Sequence, residues 1–137
     1  MIKNLHIENF KSLRDVNLKL GALNLFIGAN ASGKSNFFDA LRVLQGIGYG
    51  FTISEILDGK PKGSGSVEWE IIRGGSAKLL FEGNNNRTSK FTLTANPNLG
   101  KPQRIYRYGI GFSPISGKVS EEWLSSSSSI IYDSRLV

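Results

Sequence analysis

The chain has no cysteine and a single histidine. The first absence rules out a disulfide framework and any thiolate-held metal; the second leaves little for a histidine-based one. Proline is scarce, at four residues, so no stretch reads as a polyproline linker. No apolar run approaches the roughly 20 residues that a helical membrane span needs. Residues 1–3 lead directly into an alternating pattern, without the apolar segment of a signal peptide. Together these features predict a protein of the reducing cytoplasm with no membrane partner. At 137 residues the chain is one domain or part of one. Its formal net charge of +6 permits an anionic partner, but the basic residues are spread out rather than massed in one patch.

Glycine, by contrast, is abundant, and two of the sixteen frame a motif. Gly28-Ala29-Asn30-Ala31-Ser32-Gly33-Lys34-Ser35 has the spacing G-x-x-x-x-G-K-S of a phosphate-binding P-loop. The apolar residues 23–27 before it predict a buried strand, and residues 34–45 after it a helix. A loop between a strand end and a helix start has free backbone N–H groups, and the helix dipole adds positive charge there. Gly28 and Gly33 allow close backbone approach to a phosphate. Lys34 brings a cation to the outer phosphates and is the catalytic candidate. Ser35 offers a hydroxyl to Mg²⁺. The expected ligand-binding set is Gly28, Ala29, Asn30, Ala31, Ser32, Gly33, Lys34, Ser35 and Asn36, with ATP and Mg²⁺ as cofactors.

Other segments predict the surroundings. Leu5 and Ile7 alternate with His6 and Glu8 in a half-buried first strand over residues 2–10. Val16, Leu18 and Leu20 mark a second. Phe37, Leu41 and Leu44, widened by Phe38 and Val43, give the helix an apolar stripe, and Gly46 is the expected stop, followed by a mobile glycine-rich stretch. Residues 51–57 read as a short helix or a loop, and residues 58–66 as a linker. Strands are then expected over 67–73, 77–82, 90–95 and 103–112, with turns at 83–86 and 96–98. A further pair flanks the serine run at 125–129. No helical pattern separates these, so an antiparallel meander is expected.

Asn9-Phe10-Lys11-Ser12, followed by residues 23–44 with Asn30, Ser32 to Asn36 and Asp39, resembles the N-terminal end of the ABC-type ATPases of the SMC, Rad50 and RecF group. It is most similar to the AAA-type, RecF-like and OLD-like predicted ATPases. The resemblance is specific over residues 1–45 and only architectural over 67–137. It implies an α/β P-loop NTPase (ABC ATPase-like) N-terminal lobe with an adjoining antiparallel β-sheet, an incomplete domain. On that reading, residues 1–137 are the N-terminal fragment of one ATPase domain, with a P-loop core at 1–46 and an antiparallel region at 67–137.

Lys11 matches a basic residue that approaches the phosphates in that group, although a solvated turn lysine fits the spacing equally. Gln103 is a candidate for the glutamine that links metal to a second lobe, set against an ordinary strand-edge glutamine. His6 reads as a surface strand histidine. Ala31 stands where the group has glycine, and a more ordinary backbone angle is expected at that position.

The group's signature segment, its Asp-Glu-ended strand and its switch histidine are not found in these 137 residues. The resemblance therefore implies that ATP hydrolysis belongs to a longer parent and that this chain alone is inactive. The implied partners are ATP, the remainder of the ATPase domain and a head-to-tail homodimer partner, with DNA as a further candidate. The implied roles are DNA repair, DNA maintenance or genome defence. Two alternatives stand beside this: a non-hydrolysing nucleotide-binding scaffold module, or another P-loop phosphotransferase. A GTPase is disfavoured, since Asp-x-x-Gly and Asn-Lys-x-Asp do not occur.

Overall fold

The computed structural model describes residues 1–81, 88–96, 104–127 and 129–134. Among them, six strands form one antiparallel sheet in the order β2-β1-β5-β6-β7-β8. β1 (Ile2–Phe10) and β2 (Leu13–Lys19) make a hairpin. β5 (Ser89–Ala95) lies on the other side of β1, and β6 (Tyr106–Phe112), β7 (Val119–Ser126) and β8 (Ser129–Asp133) continue as a meander. The expected meander and the strands around the serine run are therefore present, and the run holds the β7–β8 turn. Residues from both ends of the chain share this sheet, because β1 pairs with β5.

Alternation decides which face is buried. Leu5 and Ile7 are fully buried. The register sets Ile7 beside Val16 and Phe91, and Phe91 beside Ile110. Phe10 meets Phe91 edge-on at 5.2 Å, and Phe91 stacks on Phe112 at 5.7 Å. Two helices cover this face. α1 (Lys34–Gly48) contributes Phe37, Ala40 and Val43, and α2 (Ile53–Asp58) contributes Ile53, Ile56 and Leu57, all to one core cluster. Full burial of each large apolar side chain stabilises by about 1.5–3 kcal/mol. The result is a mixed α/β arrangement with an antiparallel sheet.

α1 does not stop at Gly46 but runs two residues further, so the expected mobile stretch begins as helix. The cause is packing. A methyl group on Gly46 would lie 2.6 Å from Ile56 Cγ1. Glycine here lets α2 approach α1 and does not break the helix. α2 itself is closed by a capping box, in which Glu55 N donates to Thr52 Oγ1 at 3.2 Å and Thr52 N donates to Glu55 Oε2 at 2.8 Å.

Three expected strands differ. Residues 23–27 form no strand, and Leu23, Leu25 and Ile27 are exposed at 91%, 81% and 84%. A buried strand needs neighbours on both sides, and no described strand lies beside this segment. Phe26 packs 4.6 Å from Phe37, and Asn24 bonds back to the Gly21 backbone. Of residues 67–73, only β4 (Val67–Trp69) is a strand, paired with the short β3 (Lys60–Pro61). The chain then turns so that Ile72 enters the core, its N–H bonded to Leu57 O at 3.1 Å. Residues 77–81 follow a 3₁₀ turn, Ser76–Lys78, that seats Leu79 in the core. Residue 82, the turn at 83–86, most of 96–98 and Gln103 lie outside the described residues.

Candidate functional site

α1 starts at Lys34 with Gly33 as its N-cap at φ 91°, and no side chain caps the helix. Its first N–H groups are left for a ligand. The loop before it folds back on itself. Lys34 Nζ donates to Gly28 O, to Ala29 O at 2.6 Å and to Ser32 Oγ at 3.1 Å. Ser32 N bonds to Ala29 O at 3.3 Å. A methyl group at Gly28 would sit 2.7 Å from Ser32 Oγ, which explains the need for glycine. Ala31 adopts φ 68°. This corrects the expectation of an ordinary angle there, because the tight loop imposes the left-handed conformation despite the side chain.

Asn30, Ala31, Ser32, Gly33, Lys34, Ser35 and Asn36 line a cleft of about 160 Å³ together with Arg73. Gly28 and Ala29 lie behind it, as acceptors for the Lys34 amine. The nine expected residues thus span the loop of residues 28–33 and the first turn of α1. The Ser35 hydroxyl makes no hydrogen bond among the described residues. Arg73 escaped sequence reasoning. It lies far along the chain, and its only local signal is the Gly74-Gly75 turn that follows.

The Asn9-Phe10-Lys11-Ser12 element braces this site from the β1–β2 turn. Asn9 and Lys11 take φ 55° and 52°. Phe10 is core. Asn9 Nδ2 donates to Thr88 O at 2.9 Å, and Asn9 Oδ1 accepts from Phe81 N at 3.2 Å. The Ser12 hydroxyl accepts from Asn36 Nδ2 at 2.7 Å and would be 3.2 Å from a methyl group on Gly33. The turn therefore presses directly on the P-loop. Lys11 is neither solvated nor turned to the loop. Its side chain is 7% exposed, and its amine pairs with Asp39 and donates to Arg73 O at 2.7 Å. Next to the P-loop cleft, and sharing Asn36 and Arg73 with it, is a cleft of about 960 Å³ that also reaches Lys11, Lys78 and Phe81. The smaller cleft is the one whose groups suit phosphate. His6 pairs on the sheet's outer face with Asp15, 2.7 Å away, well apart from this chemistry.

An anion-ready loop at a helix N-terminus, on this α/β frame, defines a P-loop NTPase. More narrowly, the chain belongs to the AAA ATPase domain family, whose model matches residues 1–94. Over 46 residues it is 37% identical to the OLD nuclease of Thermus scotoductus, a match covering 34% of this chain and 9% of that protein. Over 54 residues it is 35% identical to the uncharacterized protein MJECL10 of Methanocaldococcus jannaschii, covering 39% of this chain and 25% of that protein. In fold it is similar to the recombination mediator protein RecF-ATPrS of the RecFOR pathway, with a TM-score of 0.53 and 17% identity. That match covers 96% of this chain and 28% of the RecF chain. The matches therefore span between 9% and 28% of these relatives. Among the described residues, no helix is long and apolar enough to cross a membrane.

Proposed function

We propose that this chain is the ATP-binding N-terminal portion of a RecF- and SMC-like P-loop ATPase. Residues 1–46 carry the loop and its brace, and residues 67–137 the antiparallel region. The observation that supports it most is the Lys34 amine held by the carbonyls of Gly28 and Ala29 at the back of a cleft lined by residues 30–36 of the loop and the start of α1. A triphosphate entering that cleft replaces those carbonyls as the partner of the amine and meets the N–H groups of residues 29–36. The donor set also suits Mg²⁺, which takes few protein ligands and fills its shell with phosphate oxygens and water. One hydroxyl, from Ser35, is a sufficient protein share, and the ion's role is to neutralise phosphate charge.

Among the described residues no carboxylate lines the cleft. Nothing there orients an attacking water, so the chain alone binds ATP and turns it over near the background rate. Hydrolysis belongs to a longer parent, with the remainder of the domain and a head-to-tail second copy completing the site. The likeness to a recombination mediator and to a nuclease, with the net charge of +6, favours a role in DNA repair, maintenance or genome defence. The absence of cysteine suits the cytoplasm.

Titration of ATP with Mg²⁺ tests the first claim. Lys34→Ala should weaken binding by about tenfold or more, the scale of one charge-assisted hydrogen bond. Ser35→Ala should weaken it only when Mg²⁺ is present. Equal affinity of wild type and Lys34→Ala overturns the reading. For DNA, duplex affinity should fall as salt rises, and a flat response rejects electrostatic contact.

A further inference from the structure

We propose that Asp39 is a positioning residue for the outer phosphates: its carboxylate parks Arg73 beside the P-loop cleft and gives it up to an entering triphosphate. The inference rests on the nucleotide reading above. It comes from a closed ring of three residues, two ion-pair contacts and one hydrogen bond to a backbone carbonyl. Lys11 Nζ pairs with Asp39 Oδ2, Asp39 Oδ2 lies 3.4 Å from Arg73 Nη2, and Lys11 Nζ donates to Arg73 O at 2.7 Å. Both ends of Arg73, carbonyl and guanidinium, are thus tied to one ion pair.

The two cations are not held alike. The Lys11 and Asp39 side chains are 7% and 13% exposed and form a largely covered pair. Arg73 is 64% exposed, and 3.4 Å is long for a charge-assisted bond, which closes at about 2.7–2.9 Å. Its other side-chain contact is Asn36 Oδ1 at 3.1 Å. Asn36 and Asp39 stand three apart on α1 and so share the face beside the cleft. Arg73 is therefore aimed by one ordinary hydrogen bond and one long ion-pair contact from one helix face, at the rim of the cleft it lines. A phosphate offers the guanidinium a bidentate partner of full charge, which outcompetes a carboxylate already paired with Lys11. Asp39 supplies direction without a strong grip.

The test is a double-mutant cycle on the purified chain, reading the ratio of ATP to ADP affinity with Mg²⁺. Arg73→Ala should cut that ratio by about tenfold. Asp39→Asn should cut it by about threefold to tenfold when Arg73 is present and leave it unchanged in the Arg73→Ala background. A merely structural effect would lower ATP and ADP affinity together. An Asp39→Asn ratio equal to wild type, or a change of the same size in both backgrounds, overturns the proposal. Because Asp39→Asn strips a buried lysine of its partner, thermal melts accompany the titrations. If that variant is unfolded, the Lys11→Met/Asp39→Asn pair replaces it and is judged by the same two outcomes. Lys34→Ala is the separating arm. If it binds ATP like wild type, the nucleotide reading fails; if it loses ATP while the cycle shows no coupling, only the role of Asp39 fails.

Discussion

Ala31 occupies a left-handed backbone angle, φ 68°, at the loop position where the resembling ATPases carry glycine. A side chain in that conformation costs about 1–2 kcal/mol, and replacement by glycine returns part of it to conformational entropy of the unfolded chain. Ala31→Gly should therefore stabilise by about 0.5–1 kcal/mol, seen as a small rise in Tm. A fall in Tm would show that the angle is not costing the fold. At this scale the loop was legible, since each of its residues acts through neighbours within eight positions. Arg73 was not. Its place at the cleft depends on a turn that brings Arg73 against Asn36 and Asp39 of α1, and no spacing in the chain encodes that return. Lys11 was only half legible. Its charge was evident, but the Asp39 that captures it stands on α1, 28 positions along the chain.

Among elements, the β6–β7 pair carries the clearest dependence on solution conditions. Tyr108 on β6 donates its hydroxyl to Glu122 Oε1 on β7 at 2.6 Å. Burial, then this hydrogen bond and the carboxylate's charge, push the phenol well above its ordinary value of 10.0. In the unfolded chain the phenol ionises first as pH rises, so the unfolded state holds fewer protons above about pH 10. The contribution of Tyr108 is thus complete below that pH and declines above it. Stability should begin to fall near pH 10, and Tyr108→Phe should flatten the alkaline limb of a stability–pH curve. An unchanged limb contradicts this. Periodicity made β1, β5, the meander and α1 readable. It misread residues 23–27, because an apolar run becomes a strand only when another strand supplies its hydrogen bonds. It passed over the cap of α2, although Thr52-Ile53-Ser54-Glu55 is a readable capping box.

For the whole molecule, the exposed row of Leu23, Leu25 and Ile27, with Phe38 half uncovered beside it, is an apolar surface next to the P-loop. Such a patch drives association. The purified chain should sediment as a concentration-dependent mixture, and Leu25→Ser with Ile27→Ser should shift it toward monomer. A strictly monomeric wild type would oppose this. The sequence by itself determined the glycine-framed loop that opens α1, the alternation of the sheet strands and the apolar stripe of α1, because each depends on residues within a few positions and on local backbone geometry. Tertiary structure alone decided that the Asn9–Ser12 turn braces the loop, that Gly46 serves helix packing, and that Asp39 joins Lys11 to Arg73. Those contacts link residues 10 to 62 positions apart, and which of the many cations and glycines meet is fixed only when the shared core closes around Phe10, Phe37, Ile56 and Phe91.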